Sequence, residues 1–229
     1  MTTFGEIVEP TSRSTWEDWD DIVPEQTITK LALQESTGIL AKVESFIILE
    51  GKYLTELVAL HSQHELEVLN SITKVNLHIY KEKSLNSYLC VVKDYNLLQS
   101  SEIVELLKPF LLVSKNVIAI QTKPLAEYQS SEVTNTDCII RAVFTSNLAS
   151  KYLNFNYPRL EQPNIITGLS AGVICMSDFL NLPGVAIICY LECPEEYRID
   201  EVQNLLKKLN IIHNSASRPN TILNSNLYI

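Results

Sequence analysis

Apolar residues recur along the chain with two different periods, and the switches between them outline a series of strands and helices. The first clear run is Phe46-Ile47-Ile48-Leu49, which follows Val43 and stops at Glu50-Gly51. A short, continuous, β-branched and aromatic run of this kind predicts a buried strand. Leu54, Leu57, Val58 and His61 come next at the spacing of one helix face. Val75, Leu77 and Ile79 alternate with Asn76, His78 and Tyr80, the mark of a strand with one face in solvent or at a sheet edge. Another strand is expected at about Tyr88 to Val92.

Ile103, Leu106, Leu107 and Phe110 predict a helix, with Ser100 or Ser101 placed to cap it and Glu102 and Glu105 near its positive end. Val117 to Ile120 and Cys138 to Phe144 read as two more strands. Ile166, Leu169, Val173, Met176 and Leu180 form a helical stripe that Pro183-Gly184 breaks, and Val185 to Leu191 is again a continuous apolar run. A final helix carries Val202, Leu205, Leu206 and Leu209. Continuous apolar strands need cover on both faces. Six strands among about five helices therefore predict a three-layer α/β/α sandwich, with a mixed, Rossmann-like sheet, over residues 39–213.

The flanks are different. Residues 1–38 carry Pro, Ser and Thr and the acidic-aromatic cluster Trp16 to Asp21, with no sustained period, and read as a flexible segment. Residues 214–229 begin as Asn-Ser-Ala-Ser-Arg-Pro-Asn, a polar tether, and finish on Leu227, Tyr228 and Ile229. Three large side chains at the end of a solvated tail have no folding reason to be there.

Composition narrows the partners. The 229 residues are 46% apolar, enough for one domain that buries roughly 70 to 75% of its unfolded surface. A net charge of −9, from 27 acidic and 18 basic residues, repels phosphate backbones and anionic lipid, so nucleic acid and membrane surfaces are not expected partners. No apolar run approaches the roughly 20 residues that cross a bilayer, and the start lacks a basic flank followed by an apolar stretch. Five cysteines, an odd number without a CxxC pair, suit reduced core thiols.

Candidate chemistry is sparse. Gly168-Leu169-Ser170-Ala171-Gly172 matches the G-x-S-x-G elbow of serine hydrolases, and Asp178 or Asp200 and then His213 follow in the order such enzymes use. That makes an α/β serine hydrolase the alternative function. The elbow needs a strand directly before the serine, however, and Leu160-Glu161-Gln162-Pro163-Asn164 leaves only Ile165-Ile166 to build one. Small residues that let a helix start and pack closely are the favoured reading. His61 and His64, and Cys189 and Cys193, lack further ligands for a metal shell. None of the six glycines sits in a phosphate-cradling motif. No catalytic residue, cofactor or metal is assigned.

Several segments together resemble the family of proteasome α-ring assembly chaperones, chaperone 1 members in particular. They are Thr3-Phe4-Gly5-Glu6, Leu160 to Ile165, the helix and strand that follow as far as Tyr190, and Ser225 to Ile229. The resemblance implies an α/β domain without catalysis, located in the cytoplasm with the nucleus as a second compartment. It further implies a heterodimer with proteasome assembly chaperone 2 and docking on the proteasome α subunits. The family's terminal motif is hydrophobic, tyrosine, any residue, and Leu227, Tyr228 and Ile229 fill it in order. By chance an apolar residue followed by Tyr occurs there about 2% of the time, taking 46% apolar residues and ten Tyr in 229.

Overall fold

The computed structural model describes residues 30–35, 40–61, 66–82, 86–130, 136–147, 157–192 and 200–212. The larger compact unit of the chain begins at Leu31. Its described elements, in chain order, are β1 (Val43–Glu50), α1 (Lys52–His61), β2 (Glu67–Ile72), β3 (Leu77–Glu82), β4 (Ser87–Val92), α2 (Ser100–Leu112), β5 (Ser114–Pro124), β6 (Cys138–Phe144), α3 (Gly168–Phe179), β7 (Gly184–Leu191) and α4 (Asp200–Lys208). The strands form one sheet in the order β2-β3-β4-β1-β5-β7-β6. The inner four, β4, β1, β5 and β7, run parallel, while β2, β3 and β6 add antiparallel margins.

This is the expected α/β/α sandwich with a mixed sheet. Along β1, Phe46 and Ile48 join the buried cluster that contains Ile103 and Leu107 of α2 and Leu169 and Val173 of α3. Ile47 and Leu49 point the other way, to Leu54 and Leu57 of α1 and Leu205 and Leu206 of α4. The two-residue period of a strand thus splits one apolar run between two cores. On the α2 side, Phe110 packs edge-on against Tyr88 with ring centroids 5.6 Å apart, and the Tyr88 hydroxyl donates to the Ala41 carbonyl at 3.1 Å.

Three local expectations change. Among the described residues there are seven strands and four α-helices, because Glu67–Ile72 forms β2 at one margin. Val75 lies not in a strand but in a short 3-10 turn, since Asn76 adopts φ 44° and β3 starts only at Leu77. The serines do not cap α2. Gln99 holds the cap position without a side-chain bond, and Ser100 Oγ donates to the Leu97 carbonyl instead. Glu102 accepts from the backbone amide of Leu31 at 2.7 Å, and Leu31 is 2% exposed within the α2-side core.

Both margins of the sheet are partly closed by the chain itself. Beside β2, Gln34 donates its amide to the Ser71 carbonyl at 3.0 Å, and the Asn70 amide group brackets the backbone of Glu35. Beside β6, Ala142 donates to Pro158 and accepts from Leu160, each at 2.9 Å, while Arg141 covers the carbonyl of Ile140 at 3.1 Å. Covered edges offer less for another strand to pair with.

Candidate functional site

In a doubly wound sheet, ligands gather where neighbouring strands send their crossovers to opposite faces, beyond the strands' carboxyl ends. Here that place lies around β1, between β4 and β5. Its occupant is a side chain of the protein. Glu50, the last residue of β1, is 6% exposed and sets its carboxylate on the first turn of α3. Oε2 accepts from the Ser170 amide at 2.8 Å and from the Ser170 hydroxyl at 2.5 Å. Oε1 accepts from the Tyr95 hydroxyl at 2.5 Å and from the Leu169 amide at 3.3 Å. Tyr95 in turn accepts from the Leu169 amide at 2.5 Å.

The helix end explains the arrangement. The first amides of a helix have no partner within it, and the aligned dipoles favour an anion there. Glu50 supplies both an acceptor and a negative charge. A phosphate, the usual guest at such a position, would meet this carboxylate. Burial first, and then the Glu50 charge, push the Tyr95 hydroxyl well above its ordinary pKa, so Tyr95 stays protonated and donating. Gln121, the β5 residue paired with Glu50, is 7% exposed and donates Nε2 to the Thr167 carbonyl at 3.2 Å, while its Oε1 is buried without a protein partner.

The GLSAG pentapeptide is now placed. Gly168 has φ +73°, and a Cβ there would come within 2.5 Å of the Tyr95 oxygen and 2.6 Å of Glu50 Oε1. Gly172 faces Val104 of α2, 2.8 Å from where its own Cβ would sit. Glycine is needed at the first position for backbone conformation and room, and at the other for close approach of two helices. Ser170 is fully buried and bonded to a carboxylate. No strand leads into it, since 157–167 hold only an isolated bridge at Arg159. Asp178 sits two helical turns away, about 12 Å along the axis, and its carboxylate binds the Ser146 amide. Asp200 begins α4 on the opposite face of the sheet, and His213 lies outside the described residues. The geometry is that of a helix start, not a nucleophile elbow.

The Leu160–Ile165 segment is clamped on both sides. Glu161 Oε2 pairs with Arg141 Nε at 2.9 Å, and its Oε1 accepts from the Tyr128 hydroxyl. Asn164 makes a reciprocal pair with the backbone of Gln129, both bonds 2.8 Å. Gln162, Pro163 and Ile165 are left exposed. These bonds account for Glu and Asn in LEQPN and were not readable from spacing, because the partners lie 20 to 35 positions away.

Other candidates stay apart. The described cysteines, Cys90, Cys138, Cys175 and Cys189, are free thiols. Burial and nearby acidic groups push Cys138 up to about 12, which keeps it protonated and a poor nucleophile. No group of three or more metal-ligating side chains occurs among the described residues, and Cys193 and His64 lie outside them. No described helix is long and apolar enough to cross a membrane. The expected anchor, Leu227, Tyr228 and Ile229, also lies outside the described residues.

No family model matches the sequence, and comparison with curated proteins returns no match. Solved structures do match the fold. Pyrococcus furiosus PbaA, an archaeal homolog of proteasome-assembly chaperone, superposes with a TM-score of 0.54 at 14% identity, over 79% of this chain and 86% of that one. A Mycobacterium tuberculosis protein of unknown function gives 0.53 at 11% identity, over 79% and 75% of the two chains. A Thermoplasma acidophilum protein of unknown function gives 0.51 at 14% identity, over 76% and 79%. At such identities the likeness is one of fold.

Proposed function

We propose that this chain is a proteasome assembly chaperone that pairs with proteasome assembly chaperone 2 and docks on proteasome α subunits through Leu227, Tyr228 and Ile229, in the cytoplasm or nucleus. The observation that carries the reading is the hydrophobic-tyrosine-any tripeptide on a polar tether. The fold shared with PbaA across most of both chains supports it. So does the candidate site, where the carboxylate of Glu50 fills the position that a nucleotide enzyme of this architecture leaves for phosphate.

The tripeptide has three working parts. The Ile229 carboxylate pairs with a lysine between neighbouring α subunits, Tyr228 stacks and hydrogen-bonds at the pocket wall, and Leu227 fills an apolar recess. Burying Leu227 gains about 1.5 to 3 kcal/mol and the charge-assisted bond about as much again. The gross gain of about 3 to 6 kcal/mol corresponds to millimolar binding or weaker once ordering the tail is subtracted. One tail therefore specifies position without holding a particle. The partner chaperone supplies a second contact and makes each tail's binding intramolecular.

The test is truncation. Deleting Leu227 to Ile229 from the full chain is expected to abolish most co-purification of α subunits while the thermal melt of the domain stays put. Appending one residue after Ile229, which moves the carboxylate, should do nearly the same. Unchanged α-subunit recovery in both variants sinks the docking role.

A further inference from the structure

The two faces of the β2–β3 margin differ in their cover. On the α2 side, Ile72 of β2 and Leu77 and Ile79 of β3 are buried in the core that also holds Leu31. On the α1 side, Tyr80 packs half-buried on the core that holds Leu89 and Val91 of β4. Val68 lies directly opposite Tyr80 across the pair, so the two share a face, and Val68 is 61% exposed. His78, two residues from Tyr80 on the same face, is exposed as well, and the two ring centroids are 6.2 Å apart. α1 packs over β4, β1 and β5. A valine beside two rings therefore faces water where a layered fold places cover.

We propose that this face is the seat of the chain's own tail, with Ile222 and Leu223 packed on Val68, His78 and Tyr80. The tail departs from the same side of the sheet, because Ile211 and Ile212 are buried in the core on which Tyr80 packs. Reach is sufficient. Ten residues lead from Ile212 to Ile222 and span up to about 33 Å, whereas the whole sheet, six strand spacings from β6 to β2, is about 29 Å wide. Ile222-Leu223 is also the one apolar pair of the tail that the docking tripeptide leaves unused.

Charge favours the chain's own tail over another molecule of the same kind. All 27 acidic residues come before residue 213, whereas the tail carries Arg218 and no acidic side chain. A second copy would bring a net −9 against a body of the same sign, and the tail does not. Seating Ile222 and Leu223 shortens the free tether before Leu227 from residues 213–226 to Asn224-Ser225-Asn226. Effective concentration falls as roughly the −3/2 power of tether length, so the tripeptide is presented at about tenfold higher local concentration. That consequence rests on the docking role proposed above; the seat itself does not.

Footprinting of His78 in the full chain, alone in solution, tests the seat. Diethyl pyrocarbonate modifies accessible histidine, and mass spectrometry reads the rate at that residue. The expected result is a rate at least threefold faster in the Ile222→Asp, Leu223→Asp double variant than in the unchanged chain, with Val68→Asp giving a rise of similar size. Deletion of Leu227 to Ile229 should leave the rate where it was, which separates the seat from the docking role. Unaltered circular dichroism shows that each variant keeps the fold. Equal rates in the unchanged chain and the double variant overturn the proposal. So does protection that fades on dilution, which assigns the cover to a second copy, or protection lost with the tripeptide alone.

Discussion

Helices α3 and α4 pack on opposite faces of one sheet, and they meet water in different ways. In α4, Val202, Leu205 and Leu206 are fully buried while Asp200, Glu201, Asn204 and Lys208 are exposed. Acidic residues occupy its first turn and Lys207 and Lys208 its last, each sign at the end of the dipole that favours it. Everything α4 needs is written within nine residues. α3 has no acidic residue in its first turn, and its N-terminus is stabilised by a glutamate 120 positions earlier. On its outer side Cys175, Asp178 and Phe179 are exposed. The contrast teaches that α4 is specified by its own residues, whereas α3 is set at its start by tertiary contacts from a distant part of the chain.

The sharpest way to break this contrast is Glu50→Ala. It strips partners from the Leu169 and Ser170 amides and from the Ser170 and Tyr95 hydroxyls, and should cost about 3 to 5 kcal/mol of unfolding free energy. Urea denaturation reads it. A loss below about 1 kcal/mol would show that α3 starts well without its remote cap. Next comes Leu205→Ala on the buried side of α4, expected to cost about 2 to 4 kcal/mol by leaving a cavity, checked by the same titration.

The outline of the fold was legible because hydrophobic period is local. Strands at 46–49, 88–92, 117–120, 138–144 and 185–191, and the stripe of α4, all stand where the pattern placed them. β2 was not legible: Glu67-Val68-Leu69-Asn70 is exposed at its start and bulged between Val68 and Asn70, so neither period shows. The GLSAG glycines were legible as packing residues, yet their partners Glu50, Tyr95 and Val104 were not. Those contacts join positions that only the folded sheet brings together. Glu50 itself read as a strand terminator. A buried carboxylate at the end of an apolar run was the one signal available, and its target could not be named without the crossover.

Two smaller effects sharpen the comparison. Burial raises the thiols of Cys90 and Cys189, and Cys138 reaches about 12 from an ordinary 9.0. Groups whose pKa is raised by folding contribute stability that is complete below the unfolded value and lost as pH rises through the folded one. Stability should therefore decline from about pH 9 toward pH 12, and Cys138→Ser should shallow that decline. Denaturation midpoints across this range check it, and an unchanged slope would contradict it. Smallest of all is Phe179→Lys, which should move unfolding free energy by no more than about 0.5 kcal/mol because the ring already sits in water in the isolated chain. A loss comparable to that of Leu205→Ala would mean that α3 is covered from within.

Affinity purification of the chain from its own cells, read by mass spectrometry, tests whether it works on the proteasome α ring. Proteasome α subunits recovered together with one chaperone of similar size, without β subunits in proportion, is the predicted result. Recovery of the chain with neither α subunits nor a second chaperone would contradict it.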